Sequence, residues 1–209
     1  MKYYIVALFD DNSYEVIAPI QKNLSKRFKG NRHSPQPYIA LDILDNPNIE
    51  KLCIVLEKVL KPYKKFKIEL CDDVIINENM KTINLKILNE GYIKKISRSL
   101  KDTLNLYGIH SKISQDTPLT VSLANLTYFS KDNKKYRNDI ACDLVKKANK
   151  SITLKISKFE IWKVASNKRE TCLKSYPLKT FWFLQFYTQY IKTRNFKFDN
   201  WNFLFFWFF

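Results

Sequence analysis

LTVSLANL, residues 119–126, indicates where the functional site of this protein lies, together with the shorter PYIAL at residues 37–41. Both alternate with the period of two that places successive side chains of a strand on opposite faces. The first is predicted to bury Leu119, Val121 and Leu123 and to present Thr120, Ser122 and Ala124. The second is predicted to bury Ile39, Leu41 and Ile43 and to present Tyr38, Ala40 and Asp42. Strands with an apolar back and a small or hydroxyl-bearing front predict the floor of a groove.

The length and charge of the chain limit the kind of protein it encodes. Its 209 residues suit one large domain or two small lobes, with enough chain to bury a core. The 36 Lys and Arg outnumber the 20 Asp and Glu, for a net charge of +16. Such an excess indicates an anionic partner, either nucleic acid or a nucleotide. A genome that favours Lys, Asn and Ile codons would give the same composition, so charge alone leaves both explanations open.

Metal, disulfide and secretion signals are weak. The four cysteines are widely scattered, and the chain contains only two histidines. We therefore predict no metal site and no disulfide framework. No glycine-rich phosphate loop is present, and no cofactor is predicted. The apolar run before Asp10 is too short for a signal peptide, so a reduced, cytoplasmic setting is expected.

Hydrophobic periodicity predicts alternating strands and helices along residues 1–179. Strands are predicted at 2–9, 38–44, 65–70, 82–88, 119–126, 152–164 and 170–176, and helices at 13–29, 47–61, 91–107 and 136–147. Asn46 is predicted to cap the second helix, with Pro47 as its first residue. The order predicts an α+β fold, a two-lobed pseudo-symmetric sandwich of antiparallel-rich sheets flanked by helices.

Residues 180–209 differ in composition and are predicted to lie outside that domain. Half of these thirty residues are Phe, Trp or Tyr. The two apolar runs, 181–191 and 201–209, are each too short to span a bilayer as a helix. Three interpretations stay open for this tail: an extension or translation-frame scar without an evolved role, a packing or oligomer element, and an anchor at a membrane surface.

Three stretches carry a resemblance to a known family: PYIALDIL at 37–44, LTVSLAN at 119–125, and FEIWK at 159–163 with KSYPL at 174–178. With the order of elements, they make residues 1–179 similar to the 2H phosphoesterases, which include 2'-5' RNA ligases and cyclic phosphodiesterases. The resemblance implies two lobes, each contributing a strand with a His-x-Thr or His-x-Ser motif. It also implies that one histidine acts as base and the other as acid on a phosphodiester, while the hydroxyls hold the phosphate.

The chain departs from that motif at three of its four positions. Tyr38 and Ala40 replace the first histidine and its hydroxyl partner, and Thr120 replaces the second histidine, so that Ser122 alone is retained. An unperturbed tyrosine has a pKa near 10 and threonine does not titrate usefully, so neither replacement shuttles protons well near neutrality.

The motif positions suggest roles in binding. Ser122 and Thr120 are predicted to donate to phosphate, and Tyr38 to stack on a base or to pack within the protein. Asp42 would be either an acid–base carboxylate or a polar residue at a strand end. The two histidines, His33 and His110, lie in loops that lead into the motif strands and would be either displaced catalytic groups or ordinary loop residues.

The resemblance and its departures together predict a 2'-5' RNA ligase-like protein that is catalytically degenerate. It would bind an RNA end or a small phosphorylated nucleotide in a central cleft. One alternative is an active cyclic phosphodiesterase or 2'-5' RNA ligase that uses the displaced histidines. Another is the folded but non-functional product of a damaged gene. Whether the protein is an enzyme stays open.

Overall fold

The computed structural model describes residues 1–27, 35–77, 81–114, 117–125, 152–165 and 169–180. Contacts between Cα atoms divide the chain into two units, Met1–Leu178 and Lys179–Phe209. The helices and strands described all belong to the first unit. They are β1 (Lys2–Phe9), α1 (Asp11–Arg27), β2 (Tyr38–Asp45), α2 (Ile49–Leu60), β3 (Phe66–Asn77), β4 (Thr82–Ile87), α3 (Gly91–Leu106), β5 (Thr120–Asn125), β6 (Ile152–Val164) and β7 (Glu170–Pro177).

The strands form one antiparallel sheet in the order β1-β2-β5-β4-β3-β6-β7, with an additional pairing between β1 and β6. The long strand β6 makes that pairing possible. Residues 152–156 pair with β3, whereas residues 156–164 pair with β1 and, from residue 158, with β7. β6 is therefore shared by two halves of the sheet, and the predicted α+β fold of antiparallel strands flanked by helices is confirmed.

The helices cover one face of the sheet and create the main core. Ile17 of α1, Leu56 of α2 and Leu100 of α3 are buried in one cluster with the strand residues of that face. A separate cluster of Val6, Leu8, Tyr38 and Trp162 lies on the opposite face of β1, β2 and β6. We call this opposite face the groove face, because it carries the motif positions.

Two β-bulges change the predicted alternation directly after the motif positions. In β2, Ala40 pairs with Val6 and Asp42 with Ile5, which leaves Leu41 as the extra residue. In β5, Ser122 pairs with Asn84 and Ala124 with Ile83, which leaves Leu123 as the extra residue. The equivalent position of the two bulges supports the two-fold resemblance of the halves. Bulges of this kind are common beside functional sites.

The bulges correct three of the predicted side-chain directions. Asp42 and Ala124 were predicted on the groove face, but both pair with core residues and lie on the helix-covered face. Ile43 was predicted in the core, but it is half-buried and pairs with Tyr4, while Leu44 takes the core position. An extra residue in a strand reverses the face of every residue that follows, and periodicity alone does not reveal it.

The predicted N-cap of α2 was wrong by two residues. Asn48 caps this helix, and its side chain accepts a hydrogen bond from the Lys51 backbone N–H at 3.1 Å. Asn46 instead takes a left-handed turn with φ of 41° between β2 and the helix. Both asparagines suit the position they hold, since Asn favours caps and tolerates the left-handed region. The predicted helix at 136–147 lies outside the described residues.

Candidate functional site

The sheet brings the motif positions of the two strands side by side. Tyr38 of β2 pairs directly with Ser122 of β5, and Ile39 pairs with Val121. On its other side, β5 pairs with β4, so that Ser122 lies opposite Asn84 and Thr120 opposite Lys86. Residues from three parts of the sequence thus meet on the groove face.

The motif positions Tyr38 and Ser122 lie beside Asn84. Tyr38 pairs with Ser122 across β2 and β5, and the Ser122 hydroxyl donates to Asn84 Oδ1 at 3.0 Å. The one hydroxyl that the motif retains therefore gives its proton to a neighbouring side chain.

Among Tyr38, Ser122 and Asn84, the residue that sequence reasoning missed is Asn84. It is buried, and it lies on the groove face because Ile83 and Leu85 on either side face the core. The alternation of TINLKI at 82–87 indicates that Asn84 faces away from the core. The alternation does not reveal which strand lies beside it. That neighbour depends on sheet order.

The ring of Tyr38 packs inside the protein. It is 4% exposed and contacts Trp162 edge to face, with ring centroids 5.0 Å apart and an angle of 60° between the planes. Burial raises the pKa of Tyr38 above its ordinary value. The position at which the resemblance implies the first histidine thus holds a neutral, packed phenol. Base stacking by Tyr38 stays a prediction, and the covered ring gives it no support.

Trp162 is held in turn by a buried carboxylate. Its indole N–H donates to Glu160 Oε2 at 2.7 Å, and Lys158 Nζ lies 2.8 Å from Glu160 Oε1. Burial would raise the pKa of Glu160, but the hydrogen bonds from Lys158 and Trp162 outweigh it and hold the pKa below its ordinary value. Glu160 is therefore ionised near neutrality, so it orients Trp162 and has no proton to give as a general acid.

Thr120 and Lys86 form the open part of the site. Thr120 is half-buried, and its cross-strand neighbour Lys86 is exposed. Cross-strand neighbours have Cβ atoms about 5 Å apart, close enough to contact one small ligand together. The pair offers a hydroxyl donor and an ammonium, which are groups that bind phosphate oxygens.

His110 does not lie at the motif positions. His110 is exposed in the loop that follows α3. Two residues later, the Lys112 backbone N–H donates to the Ile43 carbonyl at 3.1 Å. This contact lies away from the motif position, because Ile43 is five residues beyond Tyr38, or roughly 15 Å along an extended strand. His33 lies outside the described residues.

Asp42 belongs to a buried cluster on the helix-covered face, and the predicted groove-side carboxylate was wrong. It is fully buried and accepts hydrogen bonds from the Ser111 hydroxyl at 2.6 Å and the Ile43 N–H at 2.7 Å. The buried Lys101 on α3 provides the nearby positive charge. Burial raises the pKa of Asp42 above its ordinary value.

Neither a metal centre nor a membrane-spanning helix is found in the described part of the chain. Its residues contain no group of three or more His, Cys, Asp or Glu side chains that could hold a metal ion. None of the helices in the same ranges is long and apolar enough to cross a membrane.

Comparison with known proteins finds similarity at the level of structure. No protein-family model matches the sequence, and no curated protein matches it. Among solved structures, the chain is similar to TT0787 of Thermus thermophilus, with a TM-score of 0.57 and 13% identity over 86% of this chain and 99% of the other.

Two further solved structures have comparable similarity. E. coli LigT, solved in complex with 3'-AMP, has a TM-score of 0.54 and 14% identity over 85% of this chain and 97% of its own. Kluyveromyces marxianus Usb1 has a TM-score of 0.55 and 13% identity over 85% and 98%. At identities this low, the structural similarity shows a shared fold and no more. The chain covers nearly the whole length of each neighbour.

Proposed function

We propose that this chain, which has the fold of the 2H phosphoesterases, binds a small phosphorylated nucleotide or an RNA end in its groove without catalysing a reaction on it. The resemblance predicted from the sequence is thus confirmed for the fold. E. coli LigT, which shares it, has been crystallised with 3'-AMP and with NADP+. A ligand of that class is the starting point for the role proposed here.

The burial of Tyr38, at the position where the resemblance implies a histidine, is the observation that carries the proposed loss of catalysis. Phosphodiester cleavage by the mechanism implied by the resemblance needs a base and an acid within reach of the phosphate. Each contributes roughly 10²- to 10⁴-fold. Tyr38 is buried with a raised pKa, and Thr120 does not titrate usefully. Losing both groups should reduce turnover by about 10⁴-fold or more.

Phosphate binding is supported by the groups that remain open. The Thr120 hydroxyl and the Lys86 ammonium lie on adjacent strands of the groove face. Among the described residues, Lys86 makes no ion pair that would compete with a ligand. The net charge of +16 adds long-range attraction for any phosphorylated molecule.

A titration with 3'-AMP tests the binding role. We expect Lys86→Gln to weaken binding at least fivefold at low salt, because it removes the ammonium nearest the phosphate. Thr120→Val, which keeps the shape of the side chain but removes its hydroxyl, should weaken binding several-fold. Lys22→Gln is the matched control, since Lys22 is exposed on α1 and the variant loses the same charge elsewhere. Equal effects of Lys86→Gln and Lys22→Gln would reduce the proposed site to general charge attraction.

A hydrolysis assay tests the loss of catalysis separately. We expect no protein-dependent cleavage of 2',3'-cyclic AMP. Cleavage that disappears in His33→Ala or His110→Ala would establish the enzyme that uses displaced histidines and would contradict our proposal. Failure both to cleave and to bind would leave the damaged-gene alternative as the better account.

A further inference from the structure

Lysines and aromatic residues are interspersed at the junction of α2 and β3. The sequence KPYKKFK at 61–67 contains four lysines, one tyrosine, one phenylalanine and no acidic residue. It runs from the C-terminal end of α2 to the start of β3. The groove site described above uses none of these residues.

Three aromatic rings meet at this junction. Tyr92, in the first turn of α3, contacts Tyr63 with centroids 6.0 Å apart and Phe66 with centroids 4.7 Å apart. Both contacts are edge to face, at angles of 89° and 67°. We call these three residues the Tyr92 platform.

Two rings of the platform pack against the core, and the third is exposed to solvent. Tyr63 and Phe66 are partly buried and pack against the main core, so they hold the ring that covers them. Tyr92 remains 46% exposed although two ring contacts hold it. A ring fixed in this way loses little further freedom when a planar ligand stacks on it.

Exposed lysines flank the platform. Lys61 lies two residues before Tyr63, and Lys95 lies on α3 three residues beyond Tyr92. The acidic groups nearby are already engaged. Glu90 pairs with Lys94 at 3.6 Å, and Glu69 accepts a hydrogen bond from Asn89 at 3.1 Å.

We propose that the Tyr92 platform and its lysines bind single-stranded nucleic acid. A single strand offers an unpaired base to stack on Tyr92 and phosphates for the lysines, which is the combination that sequence-tolerant single-strand binding uses. A duplex keeps its bases stacked internally, and an acidic peptide has charge without a flat base. The surface goes beyond the groove site, since it requires a chain of nucleotides rather than one phosphate.

The test measures binding of a fluorescently labelled single-stranded RNA of about ten nucleotides by anisotropy, using the full chain. Tyr92→Ala should weaken binding about 5- to 100-fold, whereas Tyr92→Phe should bind like the parent because it keeps the ring. The double variant Lys61→Gln/Lys95→Gln should make the slope of log K against log salt shallower by about 1.4, at about 0.7 per phosphate contact.

Two controls separate this surface from general attraction and from the groove. Lys22→Gln/Lys26→Gln removes the same charge from the exposed side of α1 and should leave the salt slope unchanged. Tyr92→Ala should leave 3'-AMP binding unchanged. If Tyr92→Ala binds the RNA within twofold of the parent, or if the α1 pair weakens binding as much as the Lys61 and Lys95 pair, the inference is wrong. If 3'-AMP does not bind while RNA binding depends on Tyr92, the groove proposal fails and this one stands.

Discussion

Tyr38 stands where the resemblance implies a histidine, and its surroundings explain why it cannot take over that role. The ring fills a small apolar cluster with Val6, Leu8 and Trp162, and burial raises the pKa of the hydroxyl above its ordinary value. A proton shuttle needs access to its substrate and a pKa near the working pH. Tyr38 has neither, so its contribution is to the stability of the groove face.

Substitutions at Tyr38 should show that structural contribution. Tyr38→Phe keeps the contact with Trp162 and removes only the hydroxyl, so the free energy of unfolding should fall by about 1.5 kcal/mol at most. Tyr38→Ala also leaves a cavity and should cost about 3–5 kcal/mol. Urea denaturation of the two variants measures the difference. Equal losses would mean that the hydroxyl, and not the ring, provides most of the stability.

The buried Asp42 gives a prediction about pH. Its pKa is raised in the folded protein, so between the unfolded value of about 4 and the raised value the native state holds a proton that the unfolded state has lost. The contribution of this group to stability is therefore fully present below about pH 4 and is lost as the pH rises through the folded pKa.

A comparison with Asp42→Asn isolates this effect from the other titrating groups. Lys101 and Ser111 face Asp42, and of these two only Lys101 carries a charge. The stability of the parent relative to Asp42→Asn should fall as the pH is raised from about 4 to about 7. A relative stability that rises with pH would instead show that the ionised carboxylate is stabilised by Lys101.

At the scale of single elements, local pattern was enough to predict the helices and strands, because these depend on residues that are neighbours along the chain. All seven described strands and all three described helices were expected from periodicity, although β3 continues seven residues beyond its predicted end at residue 70. The bulges at Leu41 and Leu123 were not, because a bulge is a property of two paired strands and leaves no mark on the alternation of one of them. The same applies to the contact of Ser122 with Asn84, which are 38 residues apart.

The caps of α2 provide a test at this scale. Asn48→Ala should lower the free energy of unfolding by about 1 kcal/mol, because it leaves the Lys51 N–H without its cap. Asn46→Gly should cost little or nothing, since the positive φ of Asn46 suits glycine. Thermal unfolding of the two variants compares them. A larger loss for Asn46→Gly would restore the cap first predicted from the sequence.

At the scale of the whole molecule, the order of elements and two short motifs were enough to predict the α+β fold. The site was less predictable. The sequence identified Tyr38, Ser122 and Thr120 as candidates, but Trp162, Asn84 and Lys86 became their neighbours only through the order and register of seven strands. Register between distant strands is set by the complete core, so no single stretch encodes it.

The boundary of the folded unit also belongs to this scale. Tyr176 and Leu178 are buried, and the Leu178 N–H donates to the Ser157 carbonyl at 2.9 Å. We propose that a chain ending at residue 179 keeps the thermal unfolding midpoint of the full chain within a few degrees. A chain ending at residue 175 should lose about 3–5 kcal/mol with the buried Tyr176 ring. Similar losses from both truncations would place residues 180–209 within the stabilised unit.

Phosphorus NMR of 2',3'-cyclic AMP, recorded while the protein is added at up to equal concentration, tests the central claim most directly because one spectrum reports both binding and cleavage. We predict that the cyclic phosphate signal shifts or broadens with added protein, returns when salt is raised, and is not replaced by a phosphomonoester signal. Growth of the monoester signal in proportion to the protein would contradict the account.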